Sequence, residues 1–172
     1  MKRYLILLVA VLVITTGTSL AQRAMTAAKK LPPTLQREGV VSASPDEVWR
    51  LISVLDKVDE YNSEFVKSVE KEGDGYEAYR LVKMTDGTER GEEVTVFSKA
   101  AKRICFKSED SQYPVEYYIV NYYIESSGKS KTKLRLECYF KVNKGAAKTK
   151  TYKAIGKELS ITLKGIQNYY NK

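Results

Sequence analysis

The sequence has no histidine and only two cysteines among its 172 residues. Histidine is the side chain most often used as a general base or as a metal ligand, so its absence removes the commonest catalytic and metal-binding chemistry. The sequence also lacks a Cys-x-x-Cys pair, a nucleophile elbow and a phosphate-binding glycine loop. We therefore predict no catalytic residue, no metal site and no cofactor.

An apolar run long enough to span a membrane is also missing. The run Leu5–Ile14 has 10 residues, whereas a membrane-spanning helix needs roughly 20. It follows two basic residues and precedes small residues at Ser19 and Ala21, a pattern typical of a secretory signal peptide cut after Ala21. We expect a signal peptide over residues 1–21 and a periplasmic or secreted protein, with an uncleaved N-terminal anchor as the alternative.

Acidic residues are fewer than basic ones, with 21 Asp and Glu against 29 Lys and Arg. Export argues against nucleic acid as the partner of this charge. An anionic ligand or an anionic membrane surface is a more plausible partner, because exposed positive charge attracts anions. The simpler alternative is that the charge only keeps the protein soluble. Lysines are concentrated at the start of the last predicted helix, at Lys144, Lys148, Lys150, Lys153 and Lys157.

The folded region is predicted to begin after a leader. Residues 22–36 show no apolar period and contain a Pro-Pro pair, so we expect them to be flexible and to precede one domain over residues 37–172. A first strand is predicted at about 37–43. Six further runs alternate at period two between short turns, which predicts an antiparallel meander. These runs lie at about 66–72, 76–84, 90–98, 103–108, 115–125 and 131–142.

One helix is predicted before the meander. Ser44 as N-cap, Pro45 at the first helical position and Glu47 as partner in a capping box predict a helix that continues to about Asp59. Residues 61–65 are a candidate for one more short helical turn.

A long helix is predicted after the meander, over about 147–170. Its apolar residues recur at intervals of three and four and form one stripe: Tyr152, Ile155, Leu159, Leu163, Ile166 and Tyr170. Gly156 and Gly165 lie inside it, and either a close approach requires them or packing merely tolerates them. One long helix and about seven antiparallel strands predict an α+β domain with a gap between sheet and helix.

The two cysteines are predicted to be free thiols. Strand alternation places Cys138 on the apolar face of its strand and Cys105 on the polar face of another. Side chains on opposite faces of a sheet are not positioned to form a disulfide.

A charge pair is predicted to point into the interior. If the turn centred on Asp86 pairs symmetrically, Arg80 lies opposite Glu92, and directly opposed residues share a face. Both side chains are in step with apolar positions of their strands, as is Tyr76. Two interpretations stay open: the Arg80 fork orients the polar head of a ligand, or the pair is structural.

The apolar faces of the other strands supply candidate ligand contacts. In the strand at 115–125, Tyr118 and Tyr122 occupy the more apolar face, although the opposite face, with Tyr117 and Tyr123, is a rival. Further candidates, for which plain core packing is an equal alternative, are Phe106, Leu136, Phe140, Leu159 and Leu163.

A family resemblance rests on a set of these residues in order. The set comprises Ser44-Pro45 with Val48-Trp49, Arg80 followed by Gly87 and Glu92, then Arg103, then Pro114-Val115 with Tyr118. From about Arg37 to Tyr170 the chain resembles the SRPBCC superfamily of START-like, helix-grip domains, close to its polyketide cyclase/dehydrase-like branch. The resemblance implies a curved antiparallel sheet wrapped around a long C-terminal helix, with an apolar cavity between them that binds lipids, sterols or polyketides.

The prediction for function is an exported protein that holds a hydrophobic ligand (lipid, sterol or polyketide-like) in that cavity. The alternatives are a polyketide cyclase or dehydratase-type enzyme and a membrane- or partner-docking protein with a vestigial cavity. The predicted ligand-binding residues are Tyr76, Arg80, Glu92, Phe106, Tyr118, Tyr122, Leu136, Phe140, Leu159 and Leu163.

Overall fold

The structure is a computed structural model that describes residues 31–171. The predicted signal peptide, residues 1–21, and most of the predicted leader lie outside the described residues. No helix within 31–171 combines the length and the apolar character needed to cross a membrane. In chain order the elements are β1 (Leu35–Val41), α1 (Pro45–Ile52), a 3₁₀ turn (Leu55–Lys57), α2 (Val58–Tyr61), β2 (Val66–Glu72), β3 (Tyr79–Met84), β4 (Glu89–Ser98), β5 (Arg103–Ser108), β6 (Val115–Ser126), β7 (Thr132–Val142) and α3 (Lys148–Tyr169).

The seven strands form one sheet in the order β1-β7-β6-β5-β4-β3-β2, and every neighbouring pair is antiparallel. Strands β2 to β7 follow the predicted meander. The pairing of β1 with β7, with Leu35 opposite Cys138, joins the two ends of the domain and was not predicted. The apolar stripe of α3 packs into the same core as the inner face of the sheet. The predicted α+β helix-grip fold is confirmed.

Helix α1 begins as predicted but ends early. The Ser44 side chain accepts from the Glu47 backbone N–H while the Glu47 carboxylate accepts from the Ser44 N–H, so both halves of the capping box are present. The prediction that this helix continues to Asp59 is wrong, because it ends at Ile52. Val54 is extended, and the chain continues as the 3₁₀ turn and α2.

The break after α1 has a structural cause in the core. It directs Leu55 into the interior, where the side chain is fully buried, and its carbonyl accepts a hydrogen bond from Arg80 Nη1 at 3.2 Å. In a continuous helix that carbonyl would instead accept from the backbone N–H of Asp59. The predicted turn over residues 61–65 is replaced by α2, which ends at Tyr61.

The faces of the sheet follow the predicted alternation. Tyr118 and Tyr122 are buried on the inner face, whereas Tyr117 on the other face is 44% exposed. Cys138 shares the inner face with Val120, while Cys105 lies on the outer face, and both thiols are free and buried. The prediction of two unpaired cysteines on opposite faces is confirmed.

The two glycines of α3 have different roles. A Cβ atom on Gly165 would lie 1.6 Å from the Tyr61 carbonyl oxygen, so the close approach of α3 to the end of α2 requires glycine there. A Cβ atom on Gly156 would meet the end of the flexible Arg37 side chain at 2.9 Å. Close approach therefore explains Gly165 and not Gly156.

Candidate functional site

The β3–β4 hairpin brings Arg80 and Glu92 together inside the protein. Its register places Arg80 opposite Glu92, as the sequence predicted. Arg80 Nε and Nη2 lie 2.7 and 2.5 Å from Glu92 Oε2, and the two side chains are only 3% and 5% exposed. The guanidinium also lies 3.9 Å from the centre of the Phe106 ring, a cation–π contact. The prediction of an inward-pointing pair is confirmed.

Two further charged side chains extend this pair, and the sequence analysis did not find them as site residues. Arg90 Nε lies 2.7 Å from Glu92 Oε1, and Arg90 Nη2 lies 2.9 Å from Glu158 Oε1 on α3. The Arg90 and Glu158 side chains are each 6% exposed. We call Arg80, Arg90, Glu92 and Glu158 the charge cluster; it connects the β3–β4 hairpin to α3.

The electrostatics of the charge cluster keep Glu92 and the two arginines ionised. Burial by itself raises the pKa of Glu92, but the adjacent charges of Arg80 and Arg90 outweigh it and hold the pKa below its ordinary value. Burial lowers the pKa of each guanidinium, and the neighbouring carboxylates more than reverse that effect. Two arginines and two glutamates thus balance each other in a desolvated site.

The loop between β5 and β6 covers the charge cluster from one side. Tyr113 Oη donates to Glu158 Oε2 at 2.7 Å, and Arg90 Nη1 donates to Gln112 Oε1 at 3.3 Å. Burial and the nearby Glu158 both raise the pKa of Tyr113, so its hydroxyl stays protonated and acts as a donor at neutral pH.

An open cavity ends at this cover. It has a volume of about 320 Å³ and lies between α3 and the β3–β4 turn. We call it the rim cavity; it is lined by Glu64, Phe65, Met84, Thr85, Asp86, Gln112, Tyr113, Ala154, Lys157 and Ile161. Its volume is at the low end of the range of about 300–1,000 Å³ for small-molecule sites. Gln112 and Tyr113 belong both to its lining and to the cover, so the rim cavity adjoins the charge cluster.

A smaller cavity of about 220 Å³ adjoins the rim cavity along α3, and the two share Glu64 and Ile161 in their linings. Tyr61 and Asn62 also line it. Asn62 is buried, and its Nδ2 donates to Thr162 Oγ1 at 3.0 Å, while its Oδ1 has no hydrogen-bond partner.

The predicted ligand-binding residues fall into three groups. Tyr76 is misplaced by the sequence analysis, since β3 begins only at Tyr79 and Tyr76 lies in the preceding turn with 63% of its surface exposed. Arg80 and Glu92 are in the charge cluster. The other seven are packed in the core and line neither of the two cavities described above: Phe106, Tyr118, Tyr122, Leu136, Phe140, Leu159 and Leu163.

These seven side chains explain why the centre of the space between the sheet and α3 is filled. Four of them are aromatic, and Phe106 and Tyr122 pack edge to face with their ring centres 5.7 Å apart. Together with the charge cluster they occupy the space between the sheet and α3. Their contact with a ligand remains a prediction.

The sequence model of one protein family, described as polyketide cyclase / dehydrase and lipid transport, matches residues 32–169. The match covers the whole sheet, the rim cavity and all of α3.

The chain belongs to the polyketide cyclase / dehydrase and lipid transport family.

The family match confirms the predicted SRPBCC resemblance, and solved structures of other proteins share the fold of this polyketide cyclase / dehydrase family member. An uncharacterised protein from Bacillus thuringiensis superimposes with a TM-score of 0.72 at 16% identity, over 80% of this chain and 98% of that one. A norcoclaurine synthase point mutant from Thalictrum flavum, in complex with a transition-state analogue, gives 0.64 at 17% identity, over 80% and 92%. No curated protein matches the sequence.

One of the structurally similar proteins is longer than this chain. The di-domain ARO/CYC protein BexL of the BE-7585A biosynthetic pathway gives a TM-score of 0.68 at 19% identity. The similarity covers 80% of this chain but 46% of BexL. At this identity, the likeness establishes the shared fold.

One of the two unpredicted members of the charge cluster could have been predicted from the sequence. Arg90 is two residues from Glu92 and therefore on the same face of β4, which was a usable signal. Glu158 is next to Leu159 of the apolar stripe, but its burial depends on Arg90 from a distant strand. Within residues 31–171, no group of three or more His, Cys, Asp or Glu side chains is placed to hold a metal ion.

Proposed function

We propose that this protein binds a hydrophobic small molecule in the rim cavity, with the polar end of the ligand toward Gln112 and Tyr113. The single observation that carries the proposal is the position of that cavity. Phe65, Met84 and Ile161 line it, and its inner end meets the cover of a buried charge cluster. Apolar walls with a few convergent polar groups are typical of small-molecule sites.

The charge cluster supports a role in ligand binding in addition to a structural role. Desolvating four charges is costly, and apolar side chains of similar volume often stabilise a core as well or better. The cluster adjoins the rim cavity through two side chains, which is where a ligand head group would need fixed dipoles.

Within this proposal the ligand is a lipid, a sterol or a polyketide-like molecule, and the protein is an exported carrier. The family description combines cyclase, dehydrase and lipid transport functions. Binding is favoured over turnover because the guanidiniums and carboxylates are paired with each other and Tyr113 stays protonated, which leaves no free general base among these groups. Export rests on the sequence pattern of residues 1–21.

A cavity-filling variant tests the proposal. Ala154 lines the rim cavity, so A154W should fill it, whereas Thr149 is exposed on the same helix and lines neither cavity. Titration with the neutral fluorescent dye Nile red should give roughly tenfold weaker binding for A154W than for wild type. T149W, the matched control, should bind as wild type does.

The two variants also separate the alternatives. Equal dye affinity in A154W and wild type would place the ligand elsewhere and contradict the proposal. Chemical conversion of a bound polyketone, lost in A154W and kept in T149W, would favour the cyclase alternative at the same site.

We further propose that an anionic membrane is the surface from which the ligand is taken. Four lysines on the solvent face of α3 recur at intervals of three, four and seven residues, and all are exposed: Lys150, Lys153, Lys157 and Lys164. None of the four forms an ion pair with another described residue, whereas six lysines elsewhere on the described surface contact acids within 3.2 Å. Lys157 also lines the rim cavity, so the cavity would open beside the membrane.

Vesicle sedimentation tests this docking surface. The triple variant K150Q/K153Q/K164Q should lose affinity for phosphatidylglycerol vesicles by on the order of a hundredfold, at about 1 kcal/mol per lysine. Removal of three paired lysines, in K83Q/K133Q/K141Q, should have a smaller effect. Equal loss in both variants would show that only net charge matters and would overturn the docking proposal.

A further inference from the structure

The smaller cavity has a buried amide oxygen without a partner in its lining. Asn62 directly follows the last residue of α2 and is 3% exposed. Its Nδ2 donates to Thr162 Oγ1 on α3 at 3.0 Å, while its Oδ1 has no hydrogen-bond partner. Buried polar atoms normally have a partner, so this oxygen needs a donor from a bound molecule.

The position of this amide is fixed by the surrounding backbone. The Asn62 N–H donates to the Val58 carbonyl at 2.9 Å, and the Asn62 carbonyl accepts from the Val66 N–H at 2.8 Å. Across the cavity, Gly165 lets α3 approach so closely that a Cβ atom there would lie 1.6 Å from the Tyr61 carbonyl oxygen. Asn62 is therefore held between α2 and α3 as a preorganised hydrogen-bonding group.

The charged side chains of the lining favour a ligand without net charge. Glu64 and Lys164 both line the cavity, and neither forms an ion pair with another described residue. The remaining charged residue of the lining, Glu60, is paired with Lys57 at 3.2 Å. A cationic ligand would be opposed by Lys164, and an anionic one by Glu64 and by Asn62 Oδ1.

The neutral part of the lining suits hydroxyl groups. Ser63 and Asn168 present side chains that both donate and accept, and Ile161 and Tyr169 add apolar surface. A hydroxyl donates to Asn62 Oδ1 while its own oxygen accepts from a neighbouring donor. The volume of about 220 Å³ lies below the range of about 300–1,000 Å³ that is usual for ligand pockets, so the ligand is small.

We infer that the smaller cavity is a separate site for a small, uncharged polyol, such as a cyclic polyol or a monosaccharide. One ligand hydroxyl donates to Asn62 Oδ1, and its other hydroxyls meet the polar groups at the edge of the cavity. The site does not depend on a ligand in the rim cavity, although the two cavities share Glu64 and Ile161.

Titration of the full-length protein with myo-inositol, followed in two-dimensional amide NMR spectra, tests the inference. The signals of Asn62 and Gly165 should shift and saturate. Cyclohexanol, which has the same ring with one hydroxyl, should bind at least roughly tenfold more weakly, and so should the charged probes ethanolamine and acetate. No saturable shift with myo-inositol would show that water alone completes Asn62 and would overturn the inference. Equal affinity for any of the other three probes would overturn the assignment to a neutral polyol.

Two variants link binding to this cavity. Asn168 is exposed and lines the smaller cavity but not the rim cavity, so N168W should abolish the inositol shifts and leave Nile red binding unchanged. T149W, on the same helix but outside both cavities, is the matched control. N62L, which removes the amide, should weaken inositol binding roughly tenfold, and N168W decides the question if N62L does not fold.

The same variants distinguish this site from the rim cavity. Inositol affinity in N168W equal to that of wild type would overturn the assignment, whether or not Nile red binds. Loss of Nile red binding in N168W would show that the two cavities are one site and would overturn the separate assignment. Inositol binding in a wild-type protein that takes up no Nile red would support the polyol site and contradict only the proposed function.

Discussion

Replacement of Glu92 by glutamine should destabilise the protein far more than the same change on the surface. E92Q keeps the shape of the side chain but leaves Arg80 and Arg90, both about 95% or more buried, with one carboxylate between them. Breaking a buried ion pair on one side costs about 3–5 kcal/mol. For a domain of this size that loss lowers Tm by about 6–20 °C.

The matched control is E70Q. Glu70 pairs with Lys83 at 2.6 Å, but the two side chains are 68% and 37% exposed. Exposed pairs contribute about 0–1 kcal/mol, so E70Q should change the free energy of unfolding little. Both variants are measured by urea denaturation followed by circular dichroism. Equal, small effects in E92Q and E70Q would refute the argument that the charge cluster is desolvated and coupled.

Charge balance makes a second variant informative. R80M/E92M removes one charge of each sign and leaves Arg90 paired with Glu158 at 2.9 Å. Because the remaining cluster is neutral, the double variant should recover a large part of the stability lost in E92Q. A double variant less stable than E92Q would contradict this interpretation.

The contribution of Glu92 should also depend on pH in a defined direction. Its pKa in the folded protein lies below the ordinary value of 4.5. A carboxyl with a lowered folded-state pKa stabilises the fold fully above its unfolded-state pKa and loses that contribution as the pH falls through the folded-state value. The stability difference between wild type and E92Q should therefore be constant at neutral pH and shrink below about pH 4.5.

Three further predictions concern packing, the cover and the thiols. G165A should lower the free energy of unfolding by about 1–3 kcal/mol or more, because its Cβ would overlap the backbone of α2. G156A should be neutral or stabilising by up to about 1 kcal/mol. Urea denaturation of both variants measures the difference, and equal effects would contradict the close approach of α3 to α2. Y113F should destabilise by about 1.5–3 kcal/mol, because it removes the donor to Glu158, and an unchanged Tm would show that this hydrogen bond is not formed in solution. Cys105 and Cys138 should resist Ellman's reagent in the folded protein and both react in urea, since burial raises the pKa of each thiol; rapid labelling of the native protein would exclude the buried positions.

The elements that local sequence determines were predicted well. Strands β2 and β5 have the predicted bounds, and the β3–β4 hairpin has the predicted register because its turn fixes which residues face each other. Helix α1 begins at the predicted residue because the capping box is a local signal. Arg80 and Glu92 could be paired from the sequence for the same reason.

The features that depend on distant contacts were missed. The apolar spacing of α1 continues past Ile52, but burial of Leu55 and its hydrogen bond to Arg80 end the helix there. Tyr76 was assigned to β3, whereas Gly75 and Glu77 both have positive φ and keep the chain in a turn until the strand begins. The burial of Glu158 requires Arg90 from another element, which no local pattern reveals.

Packing also decides where a ligand has room, and this was beyond the sequence. The alternation of the strands identified the inner faces but not the volume left between their side chains. Aromatic residues on β5, β6 and β7 fill the centre of the predicted gap. The rim cavity lies instead at the edge of that gap, between α3 and the β3–β4 turn.

Native mass spectrometry of the protein, purified without detergent or organic solvent, tests ligand binding most directly. Wild type and T149W should each carry one added mass of a lipid-sized molecule that organic extraction releases, and A154W should carry little of it. A wild-type spectrum that shows the bare polypeptide, from a protein that also does not bind Nile red, would contradict the central claim.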